Sequence, residues 1–277
     1  EDRPGAEEVA IDEWGADAAA YYADDWEERT PTLLHAAGVQ MWAVCSDVHI
    51  PDHDVRAWRG FLNFVADWKP HGVCINGDFA ELASFSQHGD LIHPGQWNEE
   101  RNACRRELGR LRKAAGSARI VYNEGNHETR MGRSLAVSHP GVAGALSVSE
   151  QFDLPGLGIE WQREGVPLRL GHLRVVHGKW APVNAAKKHL EKLGSCLVGH
   201  VHRPGMHSGG YDHKTQIGWV APCLRSLDAG YLNGYEAASG WAHGFAVVHV
   251  WPDDTFNCEL VVMTPERKFA YGGRAYG

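Results

Sequence analysis

Residues 41–49 read MWAVCSDVH, and this stretch indicates the fold of the whole chain. The five apolar residues Met41 to Cys45 predict a short buried strand. Asp47 and His49 follow that strand almost directly. In open α/β sheets, functional side chains gather just beyond the carboxyl ends of the strands. The stretch therefore predicts a core strand with two site residues at its end.

The same arrangement recurs four times further along the chain. Four more short apolar runs predict strands, and they are VCIN (73–76), ARIVYN (118–123), LRVV (173–176) and SCLV (195–198). Each is followed by residues able to bind a metal ion, namely Asp78, Asn126, His177, and His200 with His202. A glycine stands beside nearly all of them and permits the sharp turns that bring ligands together. Five strand ends that carry such residues predict one common site.

The segments between these strands have helical periodicity. Apolar residues at helical spacing predict helices at 54–68, 98–115 and 183–193, and short apolar runs predict two later strands at 245–250 and 260–263. Strands that alternate with helices predict a layered α/β (α+β) core whose sheet is at least partly parallel.

Length and charge divide the chain into two parts. Its 277 residues, 43% of them apolar, suffice for one large domain, which we place at 36–277. Residues 1–30 carry 11 acidic and 2 basic residues, whereas the net charge of the whole chain is −8. We expect 1–35 to form an acidic helical extension that packs on the body or joins it to a second copy in a homo-oligomer. The nearly neutral body has no broad basic field for non-specific nucleic-acid binding.

The sequence also predicts a compartment. No apolar run approaches the roughly 18 residues of a membrane-spanning helix, so we expect no membrane partner. Residues 1–8 are acidic and precede no apolar stretch, so we expect no signal peptide. The six cysteines form no C-x-x-C pair, which favours reduced thiols and a cytoplasmic location in a bacterial or phage-infected bacterial cell.

The seven candidate ligands indicate transition metals. They are Asp47, His49, Asp78, Asn126, His177, His200 and His202. Imidazole nitrogens mixed with carboxylate and amide oxygens favour Mn, Fe, Zn, Ni or Co over Mg or Ca. Seven ligands are too many for one tetrahedral ion. They suit two ions that share a bridging carboxylate and leave positions open for water and substrate.

The ordered series D-x-H, G-D, G-N-H-E, H and G-H-x-H resembles the signature of the calcineurin-like metallophosphoesterase superfamily and spans 47–202. The resemblance implies a β-sandwich flanked by helices, with a dinuclear metal site at the carboxyl ends of the strands. It implies that one metal is held by Asp47, His49, Asp78 and His202, and that Asp78 bridges to a second held by Asn126, His177 and His200. The tail motifs YLNG (231–234) and WAHGF (241–245) are similar to bacteriophage-encoded members.

The resemblance also implies roles for residues outside the ligand set. His127 faces the leaving group or a phosphate oxygen, so His127 and Asp78 are the expected catalytic residues, with Asn126 also contacting substrate. The second motif departs from the family pattern, because Leu82 stands where many members have arginine. Glu81 is then expected to orient a ligand imidazole. Arg130 either replaces the missing phosphate contact or forms a salt bridge at the start of a helix, and His88 in the loop 84–97 is a further substrate contact.

We therefore expect a metal-dependent phosphodiesterase with two divalent ions, Mn²⁺ first among them. A metal-bridging hydroxide would attack nucleotide-type phosphodiesters, including cyclic nucleotides, or the ends of nucleic acids. One alternative is a phosphomonoesterase acting on nucleotides or proteins. An alternative of another class is a non-catalytic scaffold that keeps the fold, although such proteins lose ligands and all seven positions are filled here.

Overall fold

The computed structural model describes residues 37–86, 96–138, 141, 146–211, 214–227 and 240–277. Several predictions concern residues outside these ranges. They are the helical extension at 1–35 with its role in oligomerisation, the substrate contact of His88, and the tail motif at 231–234. They stay predictions.

A six-stranded sheet contains the first three predicted strands. Its strands are β1 (Gln40–Cys45), β2 (Gly72–Asn76), β3 (Arg119–Asn123), β4 (Ile159–Gln162), β10 (Gly244–Val250) and β11 (Phe256–Val262). They lie in the order β11-β10-β1-β2-β3-β4. The neighbours from β1 to β4 are parallel, whereas β10 and β11 pair antiparallel. The four strands from β1 to β4 therefore have the predicted parallel arrangement, with all their carboxyl ends on one edge of the sheet.

A five-stranded sheet contains the other two predicted strands. Its strands are β5 (Leu168–Leu170), β6 (Leu173–Val176), β7 (Cys196–Val198), β8 (Gly205–Tyr211) and β9 (Lys214–Val220), in the order β5-β6-β7-β9-β8. The central strands β6, β7 and β9 are parallel to one another. A separate hairpin is formed by β12 (Phe269–Tyr271) and β13 (Arg274–Tyr276).

Helices cover the outer faces of the two sheets. They are α1 (Val55–Trp68), α2 (Gln96–Ala115), α3 (Glu128–Ser138), the short α4 (Val148–Gln151) and α5 (Ala185–Leu193), with one 3-10 turn at Ala83–Phe85. Side chains of α1 and α2 pack with one face of the six-stranded sheet, and α5 packs on the five-stranded sheet. The inner faces of the two sheets share a separate apolar core that includes Trp42, Val44, Val175 and Trp219. The result is the expected β-sandwich flanked by helices.

Most predicted elements agree with the structure to within a few residues. Helix α5 begins at Ala185 and not at residue 183, and α2 begins two residues earlier than predicted. Strands β4, β5 and β8 and helices α3 and α4 were not predicted, and β9, β12 and β13 were not predicted individually. The sequence of β8, GMHSGGY, is rich in glycine, which disfavours strands on local grounds. It is a strand because it pairs with β9 over seven residues.

The basic residues of α2 have structural partners. Arg112 donates hydrogen bonds to the carbonyl oxygens of Leu157 and Ala118, and Arg105 donates to that of Gln151. Arg110 pairs with Glu107 on the same helix. The contacts of Arg105 and Arg112 tie α2 to the neighbouring loops. No helix in the described part of the chain is long and apolar enough to cross a membrane.

Candidate metal centre

The topology brings the predicted site residues to one end of the sandwich. Asp47, Asp78 and Asn126 follow β1, β2 and β3, which are parallel neighbours in the first sheet. His177 and the pair His200 and His202 follow β6 and β7, which are parallel neighbours in the second. All seven predicted ligands converge there, with contributions from both sheets.

Two buried amides join the sheets directly below this end. Asn123 donates a hydrogen bond to the side-chain oxygen of Asn76, at 2.9 Å. Asn76 in turn donates to the carbonyl oxygen of Val176 in the second sheet, at 3.1 Å. Both amides are fully or almost fully buried. They fix the spacing of the strand ends that carry Asp78, Asn126 and His177.

The backbone of the site is held in an unusual conformation. Five of the predicted ligands have positive φ angles, namely Asp47 (55°), His49 (54°), Asp78 (50°), His200 (69°) and His202 (62°). Such angles are uncommon outside glycine and cost of order 1–3 kcal/mol each, although Asp and His tolerate them better than most residues. Contacts with the surrounding structure therefore hold these turns in a conformation that is unfavourable for the residues alone, as is common at functional sites.

Two glycines of the site, Gly125 and Gly199, allow other parts of the chain to approach closely, a role that was not predicted. A Cβ atom on Gly125 would overlap the backbone nitrogen and carboxylate of Asp78. A Cβ atom on Gly199 would overlap the side chains of Ser46 and Asp47. At these two positions glycine is needed because another strand end approaches closely, while the ligands themselves take the positive φ angles.

The first group of ligand atoms consists of Asp47, His49 and His202. Nε2 of His202 lies 3.1 Å from Oδ1 of Asp47 and 3.2 Å from Nε2 of His49. Nδ1 of His49 is 2.8 Å from Oε2 of Glu81, so it carries the proton and leaves Nε2 with a lone pair. Nδ1 of His202 is buried and has no hydrogen-bond partner among the described residues. The carboxylate oxygen of Asp47 and the Nε2 atoms of His49 and His202 thus lie close together, each with a lone pair available to a metal ion.

The second group consists of Asp78, Asn126, His177 and His200. Nδ1 of His177 lies 2.9 Å from the carbonyl oxygen of Asn76, to which it donates. Its Nε2 then faces Oδ2 of Asp78 at 3.1 Å and Oδ1 of Asn126 at 3.0 Å. The ligand atoms of Asp78, His177 and His200 all lie within 4.8 Å of one another. Asp78 also approaches Nε2 of His49 to 4.0 Å, which places its carboxylate between the two groups.

These two groups fit two cations. Lone pairs brought this close repel one another unless a proton or a metal ion lies between them. The metal-free protein resolves the conflict at the second group with a proton. Burial alone would lower the pKa of His177, but the Asp78 carboxylate and its hydrogen bond raise it to about 10. A divalent ion would take the place of that proton.

The two carboxylates stay ionised in this environment. Burial opposes the ionisation of Asp47, yet the imidazole of His202 lowers the pKa of that carboxyl below its ordinary value. Burial likewise opposes the ionisation of Asp78, and His177 with His127 lowers its pKa well below the usual range. Burial lowers the pKa of His49 and of His200, which keeps both rings neutral near pH 7. Asp47, Asp78, His49 and His200 are therefore in the protonation state that metal binding needs, whereas His177 must first lose its proton.

Glu128 organises the loops under the site, and the sequence did not indicate this role. Its buried carboxylate accepts backbone N–H bonds from Asp78 and Gly125, both at 2.9 Å. It also accepts from the amides of Phe79 and Ala80. The hydroxyl of Tyr122 donates to it at 2.7 Å. Burial, followed by the charge of Asp78, raises the pKa of Glu128 to about 7.

Glu81 connects one ligand with two arginines. Its carboxylate accepts from Nδ1 of His49 at 2.8 Å and from Nη1 of Arg225 at 3.0 Å. Nη1 of Arg130 lies 3.8 Å from its other oxygen and donates to its backbone carbonyl at 3.1 Å. The structure thus places Glu81 where the sequence predicted it, against a candidate ligand imidazole. It places Arg130 at the rim of the site, in contact with Glu81.

His127 lies beside the metal-binding atoms but is engaged by other groups. Its Nδ1 donates to the carbonyl oxygen of Glu81 at 2.8 Å, and its Nε2 accepts from Arg130 at 2.7 Å. Burial lowers the pKa of His127 to about 4, so the ring is neutral near pH 7. The Arg130 guanidinium occupies the position that a cation would need at Nε2. His127 also forms a third group with His49 and Asp78, whose ligand atoms all lie within 4.8 Å of one another.

A cleft of about 550 Å³ is lined by five of the seven predicted ligands, namely His49, Asp78, Asn126, His200 and His202, and by Glu81, His127 and Arg130. Three lining residues were missed from the sequence, namely Asp52, Arg225 and Trp241. Arg225 is only 3% exposed, and its Nη2 lies 3.6 Å from Asp52. The Trp241 ring packs edge-on against His202, with 4.3 Å between centroids. No local motif identifies these residues, because long-range contacts bring them to the site.

The chain is similar to several known proteins. No family model matches the chain. The gene 54 protein of Mycobacterium phage L5 is 25% identical over 267 residues, which cover 84% of this chain and 97% of the phage protein. The dimetal phosphatase from Danio rerio aligns over 80% of this chain and 95% of its own, with 14% identity and a TM-score of 0.39. The phosphoesterase Yfce from E. coli aligns over 79% and 98%, with 14% identity and a TM-score of 0.38.

A third solved structure is Vacuolar Protein Sorting 29 from Cryptosporidium parvum, which covers 86% of this chain and 94% of its own at 12% identity and a TM-score of 0.42. The two-sheet architecture and the order of the site residues along the chain are those that the motifs predicted. The chain folds as an α/β sandwich of two sheets flanked by helices, has histidine and carboxylate groups able to bind metal, and is similar in sequence to a mycobacteriophage protein.

Proposed function

We propose that this protein is a metal-dependent phosphodiesterase with two divalent ions. One observation carries the proposal: the seven predicted ligands meet as two groups with the Asp78 carboxylate between them, and five of the seven line an open cleft. We assign Asp47, His49, Asp78 and His202 to the first ion, and Asp78, Asn126, His177 and His200 to the second. The mixed nitrogen and oxygen donors suit Mn²⁺, with Fe, Zn, Ni or Co as alternatives.

Two ions bound here would supply Lewis acidity toward a phosphoryl oxygen and would activate a water molecule as nucleophile. The chain's own residues prepare the site for this chemistry. Glu81 and the Asn76 carbonyl orient the rings of His49 and His177 through their Nδ1 atoms. Glu128 fixes the loops that present Asp78 and Gly125. His127 and Arg130 face the cleft as one hydrogen-bonded pair, and we assign to them the contact with the phosphate or the leaving group.

The charges around the cleft support a diester. Arg225 and Arg130 are the arginines that line it, and both lie against the carboxylate of Glu81. Arg225 also lies near Asp52. Since these carboxylates offset both guanidinium groups, little positive charge beyond the metal ions is left for the second negative charge of a monoester. A diester carries a single charge and needs less. We propose nucleotide-type or nucleic-acid phosphodiesters as substrates.

The similarity to a mycobacteriophage protein supports action in the cytoplasm of a phage-infected bacterial cell. The free thiols of the described cysteines fit such a reducing compartment.

Hydrolysis of bis-nitrophenyl phosphate and of nitrophenyl phosphate by the Mn²⁺-loaded protein tests the proposal. We expect turnover of both compounds, with a higher kcat/KM for the diester, and no turnover after Asp78→Ala. Two bound ions per chain should accompany activity. Absence of turnover in protein that holds two ions would contradict the assignment as an enzyme and favour the non-catalytic scaffold alternative.

A phosphomonoesterase is the second candidate, and Arg130 is the observation that favours it. This guanidinium is 28% exposed and is held only at the rim, so it can turn from Glu81 toward a phosphate dianion. A preference for the monoester that disappears in Arg130→Ala would support this alternative over the diesterase.

A further inference from the structure

A second groove lies beside the metal cleft. It has a volume of about 360 Å³ and lies between the start of α5 and the chain that follows the ligand His202. Its lining includes Val183, Lys187, Val201, Arg203, Met206 and His207. Apolar and basic groups alternate in this lining, and none of the described side chains in it is acidic. Such a lining suits a ligand that is both anionic and partly apolar.

The groove adjoins the cleft through two short segments. His200 and His202 line the cleft, while the alternating residues Val201 and Arg203 line the groove. Trp241 lines the cleft, and its neighbour Gly240 lines the groove. A ligand that continues beyond the metal site on this side would therefore enter the groove next.

Arg203 is a half-buried cation with no described partner. It stands next to His202, and neither a hydrogen bond nor an ion pair joins its guanidinium to any described residue. Lys187 has only a distant partner, Glu191, at 3.9 Å on the same exposed helix face. Two cations on one groove, of which Arg203 has no carboxylate partner among the described residues, attract phosphate groups.

The apolar part of the groove is exposed to solvent. Val183 is 90% exposed and Met206 is 64% exposed. Large apolar side chains on a rim of basic residues can pack against the faces of nucleobases while the cations bind the backbone.

Positive charge is concentrated in the segment that contains most of the groove. Residues 177–220 contain six lysines and arginines and two acidic residues, a net charge of +4 in a chain whose total is −8. This segment carries three of the candidate metal ligands and most of the groove. Two of these six cations, Lys187 and Arg203, line the groove, so the segment around the groove is locally basic although the net charge of the chain is negative.

We propose that the groove binds a single nucleic-acid strand next to the phosphodiester that occupies the metal cleft. Arg203 and Lys187 bind phosphates of flanking nucleotides, and Val183 with Met206 contacts their bases. The inference rests on the proposed function and narrows its substrate class from nucleotides in general to nucleic-acid strands.

Binding of a fluorescent single-stranded DNA of about 12 nucleotides tests the proposal by anisotropy, in EDTA so that hydrolysis cannot interfere. We expect binding by the wild-type protein and a Kd about tenfold higher for Lys187→Glu with Arg203→Glu. The slope of log K against log salt should fall by about 0.7 for each phosphate that the variant no longer binds. Lys187→Glu alone, on the exposed face of α5, should give a smaller loss of affinity in the same direction.

Lys113→Glu, the same charge change on the exposed face of α2, is the matched control and should leave the Kd unchanged. An equal loss of affinity in the control, or failure of the wild-type protein to bind DNA in EDTA, would overturn the groove assignment. Equal competition by polyglutamate, or tighter binding of a duplex, would overturn the assignment to a single strand. Hydrolysis of bis-nitrophenyl phosphate reports separately on the proposed function, because that small diester does not reach the groove.

Discussion

His127 and His177 are both buried at the site, yet their surroundings move their pKa values in opposite directions. Burial lowers both pKa values, but the Asp78 carboxylate at 3.1 Å outweighs burial at His177 and raises its pKa to about 10. At His127 the same carboxylate is 3.8 Å away, Arg130 adds an unfavourable charge, and the pKa is about 4. Two neighbouring imidazoles are thereby suited to different tasks, one to exchange a proton for a metal ion and the other to remain neutral.

This contrast leads to a prediction for His127→Ala. We expect the variant to keep both metal ions, because Nε2 of His127 is bonded to Arg130 and is not free for a ligand role. Turnover should fall by up to about 10²-fold, because Arg130 loses the ring that positions it and a small misplacement of such a contact can cost this much. Metal analysis and kcat measured together check both parts, and Asp78→Ala is the control that loses metal. Loss of an ion from His127→Ala would show that His127 is a ligand.

The leaving group separates two roles for His127. A larger loss of turnover with a poor leaving group than with nitrophenolate would indicate proton donation. An equal loss with both would indicate that His127 acts by holding Arg130.

At the scale of single elements, α1 illustrates how one residue begins a helix and fastens it to the rest of the domain. Asp54 is its N-cap, and Oδ1 accepts from the backbone N–H groups of Arg56 and Ala57 at 3.0 and 2.9 Å. Oδ2 accepts from the guanidinium of Arg267, from Nε at 2.9 Å and from Nη2 at 2.6 Å. The hydrogen bonds and the charge of Arg267 are the reason that the pKa of Asp54 lies below its ordinary value although burial opposes this.

Asp54→Ala is expected to lower the free energy of unfolding by about 1–2 kcal/mol, since loss of a helix cap typically costs about 1 kcal/mol. The ion pair adds little because Arg267 is partly exposed. Urea unfolding of the metal-free protein measures the change. Arg267→Ala is the matched variant, for it removes the ion pair and keeps the cap. If Arg267→Ala costs as much as Asp54→Ala, the cap contributes nothing measurable.

At the scale of the whole molecule, the site joins the two halves of the sandwich. Asp47, Asp78 and Asn126 come from the first sheet, whereas His177, His200 and His202 come from the second. Ions bound between them would link the sheets, and ligands that bind only the folded state stabilise it by mass action. Removal of metal should therefore lower Tm, and the size of the effect should depend on pH.

The sign of that dependence follows from two groups. In the metal-free protein the pKa of His177 is about 10, against 6.5 unperturbed, and the pKa of Glu128 is about 7, against 4.5. A pKa raised by folding stabilises the protein below the unperturbed value, and this stabilisation is lost as pH rises through the folded value. The contribution of Glu128 should thus be lost between about pH 4.5 and 7, and that of His177 between about pH 6.5 and 10, so metal-free stability falls as pH rises. Metal binding needs neutral His177 and strengthens over the same range.

We therefore expect the difference in Tm between Mn²⁺-loaded and EDTA-treated protein to widen from about pH 6.5 to 9. Thermal unfolding in matched buffers measures it. His177→Gln should flatten the trend, because the ring that exchanges a proton for metal is gone. A difference that is constant with pH in the wild-type protein would contradict the assignment of His177.

The core strands and the residues at their ends could be predicted without any tertiary information. A run such as MWAVC followed by SDVH contains both signals within nine residues, and burial of a short apolar run is a local property of the chain. The order of five such runs was enough to predict the layered α/β fold and the two-metal hypothesis. The glycine-rich strand β8 was missed because its stability comes from pairing with β9 and not from its own composition.

The orientation of those residues and the groups around them depend on the packing of the whole domain. Arg225, Asp52 and Trp241 reach the cleft through contacts between distant parts of the chain, so no local pattern marks them. The role of Glu128 likewise depends on four backbone amides that two separate loops present. Short segments of the sequence determine which side chains are available to the site. The distances between those side chains, their burial and the resulting pKa values are set only when the two sheets pack together.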